Sequence, residues 1–477
     1  MVGLEERFRG EVESMIEPAG AADVLATALR RGGDFAELFV EDKRTTGASL
    51  DDGKIDQVAS GRDRGAGVRV VVGDTAGYAH TADLTPPGLR AAAEAASAAA
   101  RDGGGGTRTI DLTPTTHPSP STTTKIPEDI PKARKIELLR AADAAARGAG
   151  DAVKQVMAGY SDGRRRILVA NSDGVYTSDD QIRTAFRVQA VATGDTGMQT
   201  GYRSVGHTIG FELFDDHDVA DVARQAAESA IGKLAARPAP SGTMPVVIAK
   251  GTGGVMFHEA CGHGLEADAI AKGASVFAGR VGQQVAGKAI TLVDDGTMAG
   301  EWGAFAIDDE GHPAGRNTLI EDGVLTDYMW DYLRARKEDR PYSGNGRRQS
   351  YQHLPMVRMT NTYVLAGTED PDEIVAQTPS GVYIRQLGGG QVDTATGDFV
   401  FGMTEAYLIE DGRITDPIRE GNLIGNGPRC LANIDALGND FGMGMPGMCG
   451  KNGQGVPVGD GNPTLRVSEL TVGGTAA

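Results

Sequence analysis

The chain has 477 residues, with 65 Asp or Glu against 47 Lys or Arg, so its formal net charge is −18. This balance argues against a nucleic-acid partner, because phosphate backbones require clustered positive charge. The basic clusters 164–166 and 347–348 are short and flanked by turn residues, so they are predicted to be solvated surface. No signal-peptide or transmembrane stretch is present, and three widely spaced cysteines do not suggest a disulfide framework. We expect a cytoplasmic protein without a membrane partner.

Periodicity and turn signals predict the following elements in chain order. The first part contains helix 21–31, strands 36–41 and 67–72 with a hairpin turn at 73–74, helices 87–101 and 130–148, strands 153–162, 166–171 and 184–194, and helix 216–236. Asp215 or Asp216 is the expected N-cap of that last helix. The second part contains strand 244–249, a Gly-rich turn at 251–254 that opens a helix, and strands 289–294, 318–329, 356–365, 381–387 and 399–410.

Length and composition predict a fold of two domains. A single core rarely extends over this length, and 68 glycines spread through turn signals favour a loop-rich, strand-containing protein. We expect an α+β protein with an N-terminal mixed α/β domain, 1–236, and a Gly-rich, β-dominated C-terminal domain, 237–477. Residues 103–125 are mostly Gly, Pro, Ser and Thr and are predicted to form a flexible connector, and 237–242 a linker between the domains.

One short segment, 258–263 with the sequence HEACGH, has the composition of a hydrolytic metal site. Two neutral imidazoles hold the metal in such sites, and a neighbouring carboxylate takes a proton from bound water. At about 100° per residue, histidines four apart in a helix diverge by roughly 40°, but those five apart diverge by roughly 140°. We therefore predict a π-type widening or a break between His258 and His263, which the flexibility of Gly262 favours.

The motif and several later segments together resemble the TldD branch of the TldD/PmbA metalloproteases. These segments are HEACGHGLEAD (258–268), DDEGHPAGRNTLIEDGVL (308–325), GRRQSYQHLPMVRMTNTYV (346–364), GGGQVDTATGDFVFG (388–402), and the ranges 424–441 and 449–474. The match is specific over the C-terminal half and looser over the N-terminal half. The resemblance implies that the C-terminal domain carries an HExxxH helix with a zinc site, completed by a C-terminal cysteine that falls on Cys449.

The resemblance also implies an activity and a partner. The implied activity is hydrolysis of unfolded or extended peptides by metal-activated water, with Glu259 as the general base. The implied partner is a homologous TldE/PmbA-type subunit without the motif, in a heterodimer, with a homodimer as the other arrangement. Older descriptions of the family as modulators of DNA gyrase are interpreted as indirect. The alternative function is a non-catalytic partner or scaffold subunit, or an interaction modulator. The intact motif argues against it, because a scaffold does not need the base.

Other residues near these motifs have alternative roles. Cys430 and Cys261 are the alternative candidates to Cys449 for the thiolate ligand. Glu266, three residues after His263, is either a third ligand or an acceptor that orients an imidazole N–H. Tyr351 and His353 are candidates for support of the transition state through a hydrogen bond to its oxyanion, or else serve the fold. The acidic turn 308–310 is predicted to be solvated.

Overall fold

The computed structural model describes residues 15–100, 109–195 and 197–474. Within these ranges the fold mixes helices and strands and is rich in strands, which agrees with the expected mixture of α and β structure. Residues 103–108 of the predicted connector and the end of the helix predicted at 87–101 lie outside the described residues.

The first sheet comes from the N-terminal half of the chain. Its strands are β1 (Phe35–Asp51), β2 (Lys54–Val72), β3 (Thr75–Thr81), β4 (Thr113–Thr115), β5 (Val153–Asn171), β6 (Val175–Gly194) and β7 (Gly197–His207). They follow the order β3-β2-β1-β5-β6-β4, with β7 also paired to β6. The pairings are antiparallel except that of β4 with β6, and Phe39 lies opposite both Gly67 and Val169. The segments predicted as separate strands at 153–162 and 166–171 form one continuous strand, β5.

Helices pack against this sheet and form two apolar clusters with it. They are α1 (Pro18–Ala28), α2 (Pro86–Ala99), α3 (Lys132–Gly148), α4 (Leu213–Asp216) and α5 (Val219–Leu234), with a 3₁₀ turn at Pro127–Asp129. In α2, Leu89, Ala92 and Ala96 recur at helical spacing and are buried against Leu38 and Val68 of the sheet. In a second cluster α3 and α5 pack on β5 and β6.

Two details of this half differ from the sequence prediction. Asp218, rather than Asp215 or Asp216, caps α5, since its side chain accepts a hydrogen bond from the amide of Ala220. The reason is that α4 ends at Asp216 and His217 is extended, so α5 begins three residues after the predicted start. The connector predicted to be flexible is in part built into the sheet, because Thr113–Thr115 pairs in parallel with β6.

The C-terminal half forms two large sheets and one short two-stranded sheet. Its strands are β8 (Arg237–Pro238), β9 (Gly242–Ile248), β10 (Leu292–Asp295), β11 (Arg316–Glu321), β12 (Val324–Leu325), β13 (Gly346–Arg347), β14 (Met356–Val357), β15 (Asn361–Val364), β16 (Ser380–Val392), β17 (Asp398–Glu410), β18 (Arg413–Arg419), β19 (Gly421–Asn426), β20 (Ile434–Leu437), β21 (Gly442–Met443), β22 (Gly447–Lys451), β23 (Gln454–Asn462) and β24 (Leu465–Gly473). Its helices are α6 (Gly254–Phe257), α7 (Ala267–Ala271), α8 (Tyr332–Lys337), α9 (Pro371–Ala376) and α10 (Gly427–Ala432).

The motif segment lies against both of the larger sheets, since His258–Gly262 contact β15 of one and β16 and β17 of the other. One follows β16-β9-β24-β19-β17-β18-β8, with β20 on β24, and the other follows β12-β11-β10-β15-β23-β21, with β22 on β23. The segment predicted as a linker at 237–242 belongs to the first of these, since β8 pairs with β18 and the amide of Ala239 donates to the carbonyl of Arg419. The residues that follow β9 carry the motif, and the hairpin β22–β23 approaches it from the far end of the chain.

Charged side chains fill much of the contact between the two halves, and here the sequence prediction is wrong. Residues of both basic clusters, Arg164, Arg166, Arg347 and Arg348, are buried, as are Asp308, Asp309 and Glu310 of the acidic turn. Arg165 forms ion pairs with Glu41 and with Asp309, at 2.6 Å and 2.7 Å. Arg69 of β2 lies 2.7 Å from Glu310. Partners from distant parts of the chain neutralise some of these charges, as Asp309 does for Arg165 and Glu310 for Arg69, which offsets part of the cost of burying them.

Candidate metal centre

The backbone of the motif departs from a regular α-helix. After α6, residues His258–Gly262 form a π-helical turn, and His263–Leu265 continue as a 3₁₀ turn. The amide of His263 donates to the carbonyl of His258, five residues back, which is the wider hydrogen bond that the angular argument predicts. The two imidazole rings consequently face the same site, with their centroids 5.0 Å apart.

Gly262 has a steric role as well as a conformational one. Its φ is −54°, a value open to any residue, so the turn does not depend on a left-handed backbone here. A β-carbon at this position would lie 2.1 Å from the sulfur of Met359. The absence of a side chain therefore lets the buried Met359 pack directly against the π turn.

Cys449 reaches the two histidines from the hairpin β22–β23. Its Sγ lies 3.2 Å from Nε2 of His258 and 3.4 Å from Nε2 of His263, and the three donor atoms all lie within 4.8 Å of one another. Tetrahedral zinc with bonds of about 2.0 Å to nitrogen and about 2.3 Å to sulfur holds such atoms about 3.5 Å apart. Two imidazoles and one thiolate leave the fourth position for water or substrate, so the donor set fits a catalytic zinc ion.

The charges around Cys449 favour its thiolate form. Burial works against ionisation, but the hydrogen bonds and positive charges of His258 and His263 outweigh it and lower the pKa of the Cys449 thiol to about 4. Burial alone raises the pKa of Cys430 to about 12, and burial together with the charge of Cys430 raises that of Cys261 still further. Among the three thiols, Cys449 is therefore the one with the ionisation state of a metal ligand.

The carboxylate of Glu266 contacts Nδ1 of His263, whereas Nε2 of the same ring is the atom near Cys449. Oε2 of Glu266 lies 3.0 Å from Nδ1 of His263 and 2.9 Å from Nζ of Lys451, and the side chain is buried. Against the opposing effect of burial, the charge and hydrogen bond of Glu266 help to raise the pKa of His263 to about 10 in the metal-free site. With the proton on Nδ1 fixed by the carboxylate, Nε2 is directed toward Cys449. Of the two roles left open for Glu266, the geometry favours the orienting acceptor.

Glu259 lies beside the three donors without joining them. Its Oε2 is 3.8 Å from Nε2 of His263, and its side chain keeps 23% of its exposure, whereas the side chain of His263 keeps 12%. A carboxylate in this position is accessible to water and close to the donor atoms. This is the placement required of a group that exchanges protons with a bound water molecule.

The other residues considered from the sequence lie elsewhere. Tyr351 packs among Phe39 and its neighbours, and its hydroxyl donates to Asp63 in β2, while Nδ1 of His353 lies 2.9 Å from Oγ of Ser350. Cys261 donates its thiol to the carbonyl of Phe257 inside the core. The thiol of Cys430 lies 3.7 Å from the sulfur of Met256. In the part of the chain that the structure describes, none of these four contacts involves the three donors.

Sequence reasoning missed two cations that hold the hairpin. Buried Arg358 donates from Nη2 to the carbonyl of Cys449 and from Nη1 to the carbonyl of Gln454, across the two strands of the hairpin. Lys451 bridges Glu266 and Asp268, at 2.9 Å and 2.7 Å. Both residues stand in segments that carried the family resemblance, but nothing local in those segments indicates which partner a cation will meet.

Comparison with known proteins matches this chain to one family over most of its length. Three family models match in succession: the PmbA/TldA metallopeptidase domain 1 at residues 36–100, the central domain at 125–234, and the C-terminal domain at 241–474. The metalloprotease TldD homologue of Haemophilus influenzae is 39% identical over 452 residues, which cover 93% of each chain. The chain belongs to the TldD/PmbA metallopeptidase family.

Solved structures show the same fold at lower sequence identity. TldE from Thermococcus kodakarensis superposes with a TM-score of 0.76 at 18% identity, covering 95% of this chain and 99% of that one. A Thermotoga maritima protein titled as a modulator of a DNA gyrase gives 0.76 at 20% identity, covering 92% and 96%. Identities this low establish the fold alone. As a member of a metallopeptidase family, the chain is expected to use a metal, and His258, His263 and Cys449 are the candidate ligands.

Proposed function

We propose that this chain is a zinc-dependent peptidase that hydrolyses unfolded or extended peptides. The observation that carries the proposal is the convergence of His258, His263 and Cys449, with Glu259 beside them. Zinc suits this set because it accepts imidazole and thiolate in a tetrahedron. When bound, zinc supplies a Lewis acid that makes water more acidic and polarises a peptide carbonyl.

Glu259 is the general base in this proposal. It does not belong to the donor group, so its carboxylate is free to accept a proton from water and to pass it to the departing amine. Its partial exposure leaves it accessible to water and to a bound substrate. The non-catalytic alternative gives no reason for a carboxylate in this position.

The proposed substrate is an extended chain, and the proposed place for it is a groove of about 370 Å³ that borders the Cys449 hairpin at Gly447 and Met448. Its lining includes Gly47, Gly159 and Ser161 of the first sheet, together with Trp302 and Met448. Small residues leave room for a peptide backbone, and backbone hydrogen bonds would tolerate many sequences. The edge of β22 is a poor place for such bonds, because Trp302 and Arg358 already donate to the carbonyls of Gly447 and Cys449.

The domain organisation, the partner subunit and the cellular location are also proposals. We infer two domains, 1–236 and 237–477, and a partner that is a TldE/PmbA-type subunit or a second copy of the chain, which membership of the TldD/PmbA family supports. No helix in the described ranges is both long and apolar enough to cross a bilayer. A cytoplasmic location stays a prediction.

One experiment tests the zinc and the substrate class together. A protein substrate is offered in its folded form and in a reduced, alkylated, unfolded form, to the zinc-loaded chain, to chelator-stripped protein and to stripped protein with zinc restored. We expect cleavage of the unfolded form only, abolished by stripping and recovered with zinc. Equal rates on both forms would reject the extended substrate, and full activity after stripping would reject the metal. No cleavage under any condition would favour the non-catalytic alternative.

A further inference from the structure

A second, smaller cavity continues the groove and is lined by cations. It has a volume of about 200 Å³ and shares Ser161, Trp302 and Met448 with the groove. It also borders the hairpin that carries Cys449, since Met448 and Val456 line it and Val456 lies opposite Cys449. Its charged lining consists of Lys43, Arg165, Arg183, Arg347 and Arg348, against Asp162 and Asp309.

Some of these charges already have partners. Arg165 pairs with Asp309, and Arg348 pairs with Glu37. Asp162 pairs with Lys135 at 2.7 Å. Three cations that line the cavity, Lys43, Arg183 and Arg347, form no such pair with a carboxylate in the ranges that the structure describes. For a chain with a net charge of −18, this local excess of positive charge is unusual.

Among the described residues, the hydrogen-bond acceptors of Arg183 and Arg347 are all neutral. Arg183, with 9% of its surface exposed, donates to the carbonyls of Trp302 and Ala304 at 2.9 Å and 3.1 Å. It also donates to the side chain of Gln181. Arg347, with 5% exposed, donates to the carbonyl of Met359 and stands 5.2 Å from the ring centre of Phe305. These contacts fix each guanidinium without neutralising it.

The burial of Arg183 and Arg347 beside other cations lowers the pKa of both guanidinium groups. Burial, followed by repulsion from Arg347 and Arg165, lowers the pKa of Arg183 to about 9. Burial also lowers the pKa of Arg347 to about 10; the charge of Asp309 opposes this shift, and the charges of Arg358 and Arg165 add to it. Buried like charges that destabilise one another are relieved by an anion of suitable size.

We propose that this cationic cavity binds a carboxylate of the peptide substrate and so positions the peptide beside the metal centre. The inference rests on the proposed peptidase function. An arginine pair offers the planar forks of donors that suit a carboxylate, and Lys43 adds a third positive charge. The carboxylate comes either from the C-terminus of the peptide or from an Asp or Glu side chain, and both offer the same chemistry.

The test compares matched peptides that differ by one carboxylate. One pair carries a free C-terminal acid or a C-terminal amide, and a second pair, with amidated ends, carries an internal Glu or Gln. Wild type is expected to show a KM at least about tenfold lower for the carboxylate form in one pair, because a charge-assisted contact is lost in the other form. The pair that discriminates identifies the source of the carboxylate.

Substitutions of the cavity cations test whether the preference for carboxylate peptides depends on the cavity. Arg183→Gln and Arg347→Gln are expected to remove the preference, and Lys43→Gln, which replaces a half-buried side chain and is less disruptive to folding, is expected to reduce it. Exposed Lys154→Gln is the matched control and should retain it. Binding of fluorescent versions of the peptides to zinc-loaded Glu259→Ala protein gives a readout independent of turnover.

The outcomes separate this inference from the proposed function. Cleavage of all peptides without discrimination, together with equal binding, overturns the cationic cavity and leaves the peptidase proposal standing. A preference retained in all three cavity variants also overturns it. Absence of cleavage by wild type counts against the peptidase proposal, and the binding preference then decides whether the cavity takes carboxylates.

Discussion

Lys451 donates a hydrogen bond to the carboxylate of Glu266, which lies at the same time against Nδ1 of His263. Lys451 is two residues beyond Cys449 and Glu266 is three beyond His263, so one buried carboxylate connects the hairpin to the motif. The contact ties two candidate ligands together although they are far apart in sequence. It also fixes the tautomer of His263, on which the direction of its donor atom depends.

Glu266→Gln should weaken zinc binding by about 10- to 100-fold, the usual effect of removing a carboxylate behind a histidine ligand. The amide keeps the shape but loses the charge that orients His263 and pairs with Lys451. The measurement is zinc competition against a chelator of known affinity. Glu373→Gln, on an exposed position of α9, is the matched control. Unchanged zinc affinity in the Glu266 variant would contradict the orienting role.

Cys449→Ala should lose zinc and peptide cleavage together, because it removes one of three protein donors. Cys430→Ala and Cys261→Ala should retain both properties, since their thiols are buried in the core and contact Met256 and Phe257. Metal analysis of the three purified variants, with turnover measured on the same preparations, distinguishes these results. Stoichiometric zinc in Cys449→Ala with full activity would exclude the thiolate ligand.

In metal-free protein, the alkylation rate of Cys449 should change little between pH 6 and pH 8. Its pKa is lowered to about 4, so the thiolate is present throughout this window and is lost only below it. A thiol with an ordinary pKa of about 8.5 would react about 100-fold faster at the upper end. Peptide mapping after iodoacetamide treatment gives the rates, and added zinc should protect the residue. A steep rise with pH would show that the two histidines do not hold the thiolate.

Arg358→Met should loosen the Cys449 hairpin. The change leaves the carbonyls of Cys449 and Gln454 without their buried donor, at a cost of about 1–3 kcal/mol for each. We expect a lower unfolding temperature and, more specifically, weaker zinc binding, because the hairpin presents the thiolate. Arg413→Met, on an exposed position of β18, serves as the control. Zinc affinity equal to wild type would show that Arg358 serves only general stability.

The local features of the motif were accessible from the sequence. Rotation per residue predicts the distortion between His258 and His263, and the structure has a π turn there. The role of Cys449 came from the family resemblance, since spacing alone does not say which of three cysteines returns to the motif. Most long helices and strands were also located, although a cap such as Asp218 depends on where a preceding turn ends.

The contacts that join distant segments could not be predicted from the sequence. Arg358 and Cys449 are 91 residues apart, and Lys451 and Glu266 are 185 apart. The arginines of both basic clusters were expected in solvent, because composition within a short window does not show that Glu37, 311 residues from Arg348, will neutralise it. Burial of charge is decided by tertiary pairing, which leaves no local pattern.

The central claim is that Glu259 is the base and not a ligand. The most direct measurement is the zinc content and peptide turnover of Glu259→Ala purified beside wild type and Glu373→Ala. The account predicts one zinc per chain in all three proteins, with cleavage in the Glu259 variant reduced by at least about 100-fold, the usual contribution of a general base. Substantial turnover by zinc-loaded Glu259→Ala would contradict the account.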